Sequence, residues 1–303
     1  MEVIMAERPT PPWADQMPEG SFISYAPSYE VGKYFDRFSA DYYTASDGTK
    51  MKYYFFDPTG YGYPAGKDYP VLIFFHGKSN ALEGDVCINY TGAELYASDA
   101  YQKTMGGAYI LIPIANEYRT AEGRVEGTWA KEYVEPTHEL IMNVLRERGA
   151  DAGIRFLFGN SAGARFVFRI ADAHPEAYNV LIPVGTVDIS TDERLDAFDA
   201  NDIWLFYAEG KRDEFNHFEQ DVVPRMPRLQ AMKHCFLFNP DWVYNGDHGI
   251  SSINFGIEMG QHCLMNAMQS NLMFADGTPM DERLPRGMTG WIADTLQAIK
   301  EEC

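Results

Sequence analysis

The run Ile154-Arg155-Phe156-Leu157-Phe158-Gly159-Asn160-Ser161-Ala162-Gly163 decides the fold. Its first half is largely apolar and strand-sized. It lacks the alternation of a strand with one wet face, so it reads as a strand buried on both faces of a parallel sheet. Its second half fits G-x-S-x-G and opens directly into 162–173, which reads as a helix. A serine in that context sits on a tight strand-to-helix turn, where glycines two residues to either side let backbone and helix crowd together. The turn lifts the hydroxyl above the sheet, and the helix N-terminus aims positive dipole at an anion developing there. The plainer reading is a glycine-rich loop with Ser161 as helix N-cap.

Outward from this run, similar apolar stretches recur at 71–75, 108–114, 180–184, 203–207 and 235–238. Ahead of them, 42–44 and 51–56 read as two strands around a turn at Ser46-Asp47-Gly48. Helical patterns fill the gaps at 91–102, 132–148, 162–173, 220–233, 260–274 and 287–301. Pro136 starts or kinks the second of these. Strands alternating with helices over this length predict an α/β fold, a mostly parallel central sheet with helices on both faces. Residues 1–40 read as an N-terminal arm, irregular where Pro9, Pro11, Pro12 and Pro18 fall and then aromatic, with Tyr25, Tyr29, Tyr34, Phe35 and Phe38. Residues 41–303 form the catalytic domain in this reading.

A serine nucleophile needs an oxyanion site, a base and an orienting acid. The strand at 71–75 runs into His76-Gly77-Lys78-Ser79-Asn80, a turn suited to present a backbone N–H from Gly77 or Lys78; the second N–H belongs to Ala162, the residue after the nucleophile. His76 itself reads as a hydrogen-bonded structural histidine. On such a sheet the acid precedes the base in the chain. The strand at 203–207 leads to Ala208-Glu209-Gly210-Lys211-Arg212-Asp213-Glu214, and Asp213 stands where the loop can aim inward. Glu209, Glu214 and Asp188 are the alternatives, each otherwise a solvated loop charge. Two histidines follow the last strand. His248 lies in the turn Asn245-Gly246-Asp247-His248-Gly249, and His262 at the start of a helix in Met259-Gly260-Gln261-His262-Cys263. The glycine-flanked turn can bend over the sheet, so His248 is the expected base and His262 the open alternative. His138, His174, His217 and His234 read as surface or satisfied histidines, and Trp129 and Tyr133 as core or pocket lining.

Taken in order, strand-HGKS, FGNSAG, YAEGKRDEF and NGDHG resemble the α/β-hydrolase superfamily over residues 42–302. The stretch Ala45-Ser46-Asp47-Gly48-Thr49-Lys50-Met51-Lys52-Tyr53 followed by Tyr69-Pro70-Val71 is similar to bacterial carboxylesterases of the feruloyl esterase and polyhydroxybutyrate-depolymerase-like type. That resemblance implies serine-dependent ester hydrolysis without a cofactor. The tail at 250–303 departs from it, with two helices and a loop where one closing helix is usual, which leaves the base open. A serine peptidase or amidase, a thioesterase or acyltransferase, and an inactive binding module are the rival readings.

Composition narrows the partners. Of 303 residues 46% are hydrophobic, enough for a full core without a disulfide scaffold. Acidic residues number 44 against 25 basic, a net charge of -19, which argues against nucleic acid or an anionic membrane as a partner. No apolar run reaches the ~20 residues that span a bilayer, and the N-terminal stretch lacks the basic and apolar regions of a signal peptide. Cys87, Cys235, Cys263 and Cys303 are widely spaced, without a C-x-x-C pair, so neither a metal nor a disulfide is expected and a reducing, cytoplasmic setting is. The expected partner is a small-molecule ester; the aromatic arm, as a lid or dimer contact, leaves a homo-oligomer open.

Overall fold

The computed structural model describes residues 10–11, 13–24, 29–252 and 260–302. Pro9, Pro12 and Tyr25 of the arm, Met259 beside the second candidate histidine, and Cys303 lie outside the described residues. In chain order the strands are β1 (Ile23–Ser24), β2 (Ser39–Thr44), β3 (Lys50–Phe56), β4 (Val71–Phe75), β5 (Tyr109–Pro113), β6 (Tyr118–Arg119), β7 (Val125–Glu126), β8 (Arg155–Asn160), β9 (Val180–Val184), β10 (Trp204–Ala208), β11 (Cys235–Phe238) and β12 (Ile250–Ser251). The α-helices are α1 (Cys87–Tyr90), α2 (Asp99–Met105), α3 (Val134–Glu147), α4 (Ala162–Ala173), α5 (Asp192–Ala200), α6 (Met226–Gln230), α7 (Leu264–Gln269) and α8 (Gly287–Glu302).

Eight strands form the central sheet in the order β11-β10-β9-β8-β4-β5-β3-β2. All neighbours are parallel from β11 to β5, and the β2–β3 hairpin joins antiparallel at one edge. Its turn takes Gly48 at φ 88°, and the Asp47 carboxylate accepts the Thr49 N–H at 2.7 Å.

The lack of alternation in the central strands has the expected cause. Val71, Ile73 and Phe75 of β4 face one core with Leu157, Leu140, Ile141, Val144 and Phe166, under α3 and α4. Leu72 and Phe74 face the other with Phe156, Phe158, Ile88, Met268 and Ile292, under α1, α7 and α8. All five β4 side chains are fully buried, and Phe74 stacks on Phe158 with ring centroids 4.4 Å apart. Truncating Phe74 to alanine removes contacts on that face at a cost of ~3–5 kcal/mol.

Three expected helices are shorter than their patterns. Gly92, at φ 86°, interrupts the first; it resumes as the single turn Glu94–Ala97 and then α2, which Ser98 caps through the Tyr101 N–H. Pro224 and Pro227 reduce the helix expected at 220–233 to short turns and α6, because each lacks an N–H and crowds the preceding turn. The helix expected at 260–274 is only α7, ended by left-handed backbone at Asn271 and Leu272. Helix α5 was not expected: only Leu195 and Phe198 in it are buried, too few for a visible stripe.

The described part of the arm is tied to the C-terminal half. Trp13 packs edge-on against Trp242, with ring centroids 5.3 Å apart, and β1 pairs in parallel with β12. Among the described residues no helix is long and apolar enough to cross a membrane.

Candidate active site

Ser161 joins β8 to α4 with φ 54° and ψ -110°. Such backbone in a residue other than glycine costs ~1–3 kcal/mol and persists only where its surroundings force it. Here they do. A Cβ on Gly159 would stand 2.2 Å from the Gly163 carbonyl oxygen, and one on Gly163 would stand 2.1 Å from that of Phe75. Both glycines are therefore required for the helix to start this close to β8 and β4. The Ser161 N–H is fixed to the Val184 carbonyl at 2.9 Å. Ala162 is the first helical residue, so its N–H has no acceptor within the helix.

The turn after β4 borders the same space, and Gly77 and Lys78 line one cavity with Ser161. His76 holds that turn from below. It is fully buried, with Nδ1 2.7 Å from the Gly77 carbonyl oxygen and Nε2 accepting the Ala115 N–H at 3.1 Å. Burial pushes its pKa down to about 4, so the ring is neutral, with its proton on Nδ1. Glu117 holds the turn from the side: it accepts the Ser79 N–H at 3.0 Å, the Ala81 N–H at 3.3 Å and the Thr128 hydroxyl. Sequence reasoning did not single out Glu117; its only signal is a carboxylate placed just past an apolar strand.

The imidazole on Ser161 is His262. Its Nε2 lies 2.9 Å from Ser161 Oγ, and its Nδ1 lies 2.6 Å from Asp213 Oδ2. His248, the base expected from the sequence, is not brought to Ser161. Its Nε2 lies 2.9 Å from Asp276, its ring stacks on Phe274, and its side chain is half exposed. The physical reason is in the chain after β11. The Asn245–Gly249 turn is closed by its own backbone hydrogen bonds and leads into β12, pinned against β1. The chain then returns at Gly260 to pass beneath the acid loop, close enough for the Gln261 and His262 amides to reach Glu214. Gly260 lets the chain lie this close to β12, because a Cβ there would meet the Ser251 carbonyl oxygen at 1.9 Å.

Asp213 sits where the sequence placed it. Its Oδ1 accepts the N–H groups of Phe215 at 2.7 Å and Asn216 at 2.9 Å. Burial alone would raise its pKa, but the hydrogen bond and charge of His262 outweigh this and hold it below the usual carboxylate range. The neighbouring carboxyls are not the solvated charges expected. Glu209 is fully buried at the end of β10 beside Asp213, and Asn216 Nδ2 donates to both. Burial first, and the Asp213 charge second, raise its pKa far enough that it carries a proton at neutrality. Glu214 accepts the backbone N–H of His262 at 2.7 Å, that of Gln261 at 3.0 Å and the Trp13 indole N–H at 3.2 Å. The loop therefore holds His262 by its ring through Asp213 and by its backbone through Glu214. Asp188 pairs instead with Arg165.

A cavity of about 800 Å³ opens onto Ser161 and His262. Phe215 stands edge-on to the His262 ring, with centroids 4.9 Å apart, and forms part of the wall with Val31 of the arm and Val125 of β7. Trp129 is core, fully buried and stacked on Phe166, and donates its indole N–H to the His76 carbonyl oxygen. Neither it nor Tyr133 lines the cavity.

A family model, Esterase, described as "Putative esterase", matches residues 44–232, more than half of the chain. The chain belongs to this esterase family. It is thus a carboxylic ester hydrolase on the α/β-hydrolase fold. No curated protein matches its sequence. Among solved structures, the esterase is similar to a thermostable esterase, with a TM-score of 0.59 and 16% identity over 78% of this chain and 61% of the other. It is also similar to a serine-to-alanine mutant of the feruloyl esterase module from Clostridium thermocellum complexed with sinapinate, with a TM-score of 0.51 and 14% identity over 82% of this chain and 94% of that one. At these identities the likeness is one of fold.

Proposed function

We propose that the esterase hydrolyses small carboxylic esters through an acyl-enzyme on Ser161, with His262 as general base and Asp213 as its orienting acid. The observation that carries this reading is the unbroken relay from Ser161 Oγ through His262 to Asp213, with hydrogen bonds of 2.9 Å and 2.6 Å. Ionised Asp213 can only accept, so it fixes the proton on Nδ1 and leaves Nε2 to accept from the serine hydroxyl. The serine oxygen attacks the ester carbonyl while its proton passes to Nε2. The carbonyl oxygen becomes the oxyanion, facing the N–H of Ala162 and one from the Gly77-Lys78 turn. Collapse of the tetrahedral intermediate breaks the bond to the alcohol oxygen, which takes the proton from Nε2 and leaves as the alcohol. Water, deprotonated by the same nitrogen, then attacks the acyl-enzyme, and the acid departs as Ser161 regains its proton.

A fluorophosphonate probe followed by peptide mapping tests the nucleophile, and should place a single label on Ser161. Run beside it, p-nitrophenyl esters should be hydrolysed far faster than the matching anilides. A label on another serine, or anilides cleaved as readily as esters, would overturn the proposal.

A further inference from the structure

The chain carries 44 acidic residues against 25 basic, yet among the described residues no Asp or Glu lines the cavity at Ser161. Apart from His262, the ionisable charges on its wall are two cations, Lys78 and Arg165. They come from different elements of the wall. Lys78 belongs to the turn after β4. Arg165 lies one helical turn beyond Ser161 on α4, its N–H bonded to the Ser161 carbonyl at 3.1 Å. The Lys78 side chain is exposed. Glu117, the acid behind its turn, accepts from Ser79, Ala81 and Thr128 and also feels the Lys78 charge, though no ion pair joins the two among the described residues. Arg165 pairs with Asp188, both side chains being about half exposed, at 50% and 53%, and it also lines the cavity. The rest of the wall includes apolar groups, among them Val31, Val125, Val187, Phe215 and Met265.

From this arrangement we infer that the preferred substrate is an anionic ester, one whose acyl or alcohol part carries a carboxylate on a short apolar spine, read by Lys78 and Arg165. The inference rests on the esterase reading of the same site. A cleft lined by one sign of charge concentrates ligands of the opposite sign even where the surrounding surface repels them. The apolar wall accepts the spine, and a guanidinium grips a carboxylate through paired N–H donors. A neutral ester of equal length would leave Lys78 in water and Arg165 on Asp188, and gain nothing from either.

The test compares kcat/KM for matched esters in one enzyme preparation, each corrected for its spontaneous hydrolysis. On the acyl side the pair is p-nitrophenyl hydrogen adipate and p-nitrophenyl hexanoate. On the alcohol side it is the butyryl esters of 4-hydroxybenzoate and 4-hydroxybenzamide. Half-exposed ion pairs favour association by up to roughly fivefold each, so at least one pair should show an anionic preference of about tenfold or more, and which pair does so locates the anion. Lys78→Gln and Arg165→Gln should each lower that ratio severalfold, whatever happens to the absolute rates, because the ratio is read within one protein. Asp188→Asn frees Arg165 and should raise it. Ratios near or below one in both pairs, or ratios unmoved by all three substitutions, would overturn the inference while leaving the esterase standing. If neither member of either pair is hydrolysed, the esterase reading fails and this inference falls with it.

Discussion

Exchanging the two candidate histidines for alanine separates the role of position in the chain from that of position in space. His262 is 8% exposed at its side chain and bridges Ser161 and Asp213 at 2.9 Å and 2.6 Å. On the proposed mechanism, its loss removes the proton acceptor from the serine and the charge that stabilises the transition state. Members of such a relay act as a unit, so His262→Ala should lower kcat by on the order of a million-fold, about 8 kcal/mol of transition-state stabilisation. Ser161→Ala should cost about the same, and the double variant little more. The fold should survive, since Asp213 keeps its bonds from Phe215 and Asn216. His248 is 49% exposed, and its ring meets Asp276 and Phe274 at the surface. His248→Ala should therefore keep activity within about twofold and its melting temperature within ~2 °C, as surface substitutions do. p-Nitrophenyl ester kinetics on each purified, folded variant, with the phosphonate-inactivated wild type as the background, gives kcat. An active His262→Ala enzyme, or a dead and folded His248→Ala enzyme, would refute the geometry from which this reasoning starts.

Glu209 yields a prediction about pH and stability. Its folded pKa is raised above the unfolded carboxylate value, so its contribution is fully present below the unfolded pKa and is lost as pH rises toward the folded one. Denaturant midpoints should fall from pH 5 to pH 9 more in the wild type than in Glu209→Gln, which mimics the protonated acid and should stay active; equal slopes would mean that Glu209 is ionised. Glu214→Ala removes the acceptor for the Gln261 and His262 amides and the Trp13 indole. It should lower kcat by ~10–100-fold with a smaller change in KM, and an unaltered kcat would make that contact merely structural. Finally, Cys87, Cys235 and Cys263 are unpaired. With Cys303 they should titrate as four free thiols in denaturant without reductant; two would reveal a disulfide.

The sheet was legible because its signal is local. Val71–Phe75, Val180–Val184 and Cys235–Phe238 are apolar throughout, and each lies as a strand with those bounds. The turn at Ser161 was legible for the same reason, since the two glycines that permit it lie within five residues. Histidine choice was not local. His248 looked mobile because glycines flank it, but flexibility is no measure of reach: its turn is folded on itself and leads into a strand held by the arm. His262 looked distant because the helix pattern ran through it, whereas α7 begins only at Leu264 and leaves His262 on irregular backbone. The pairing of Glu214 with the His262 amide spans 48 residues, and no pattern of apolar residues reports a contact between a loop carboxylate and a backbone N–H.

The acid loop also had to settle which of three carboxyls faces the imidazole. Glu209, Asp213 and Glu214 lie within six residues, and three buried negative charges so close together would repel and would lack solvation. Each has different surroundings in the structure. Glu209 is fully buried at the strand end, and burial first, then the Asp213 charge, raise its pKa and favour its neutral form beside Asp213. Glu214 remains an acceptor for three N–H groups, which tie it to the backbone of His262 and to the arm. Only Asp213 combines backbone donors on one oxygen with the imidazole on the other. Were Glu209 ionised, the second charge would raise the basicity of Asp213 and draw the proton from His262 Nδ1 toward the carboxyl pair, weakening the tautomer that the proposed mechanism requires. A neutral Glu209 thus keeps Asp213 a weaker base than the imidazole, which is the condition for an aspartate to orient a histidine without taking its proton.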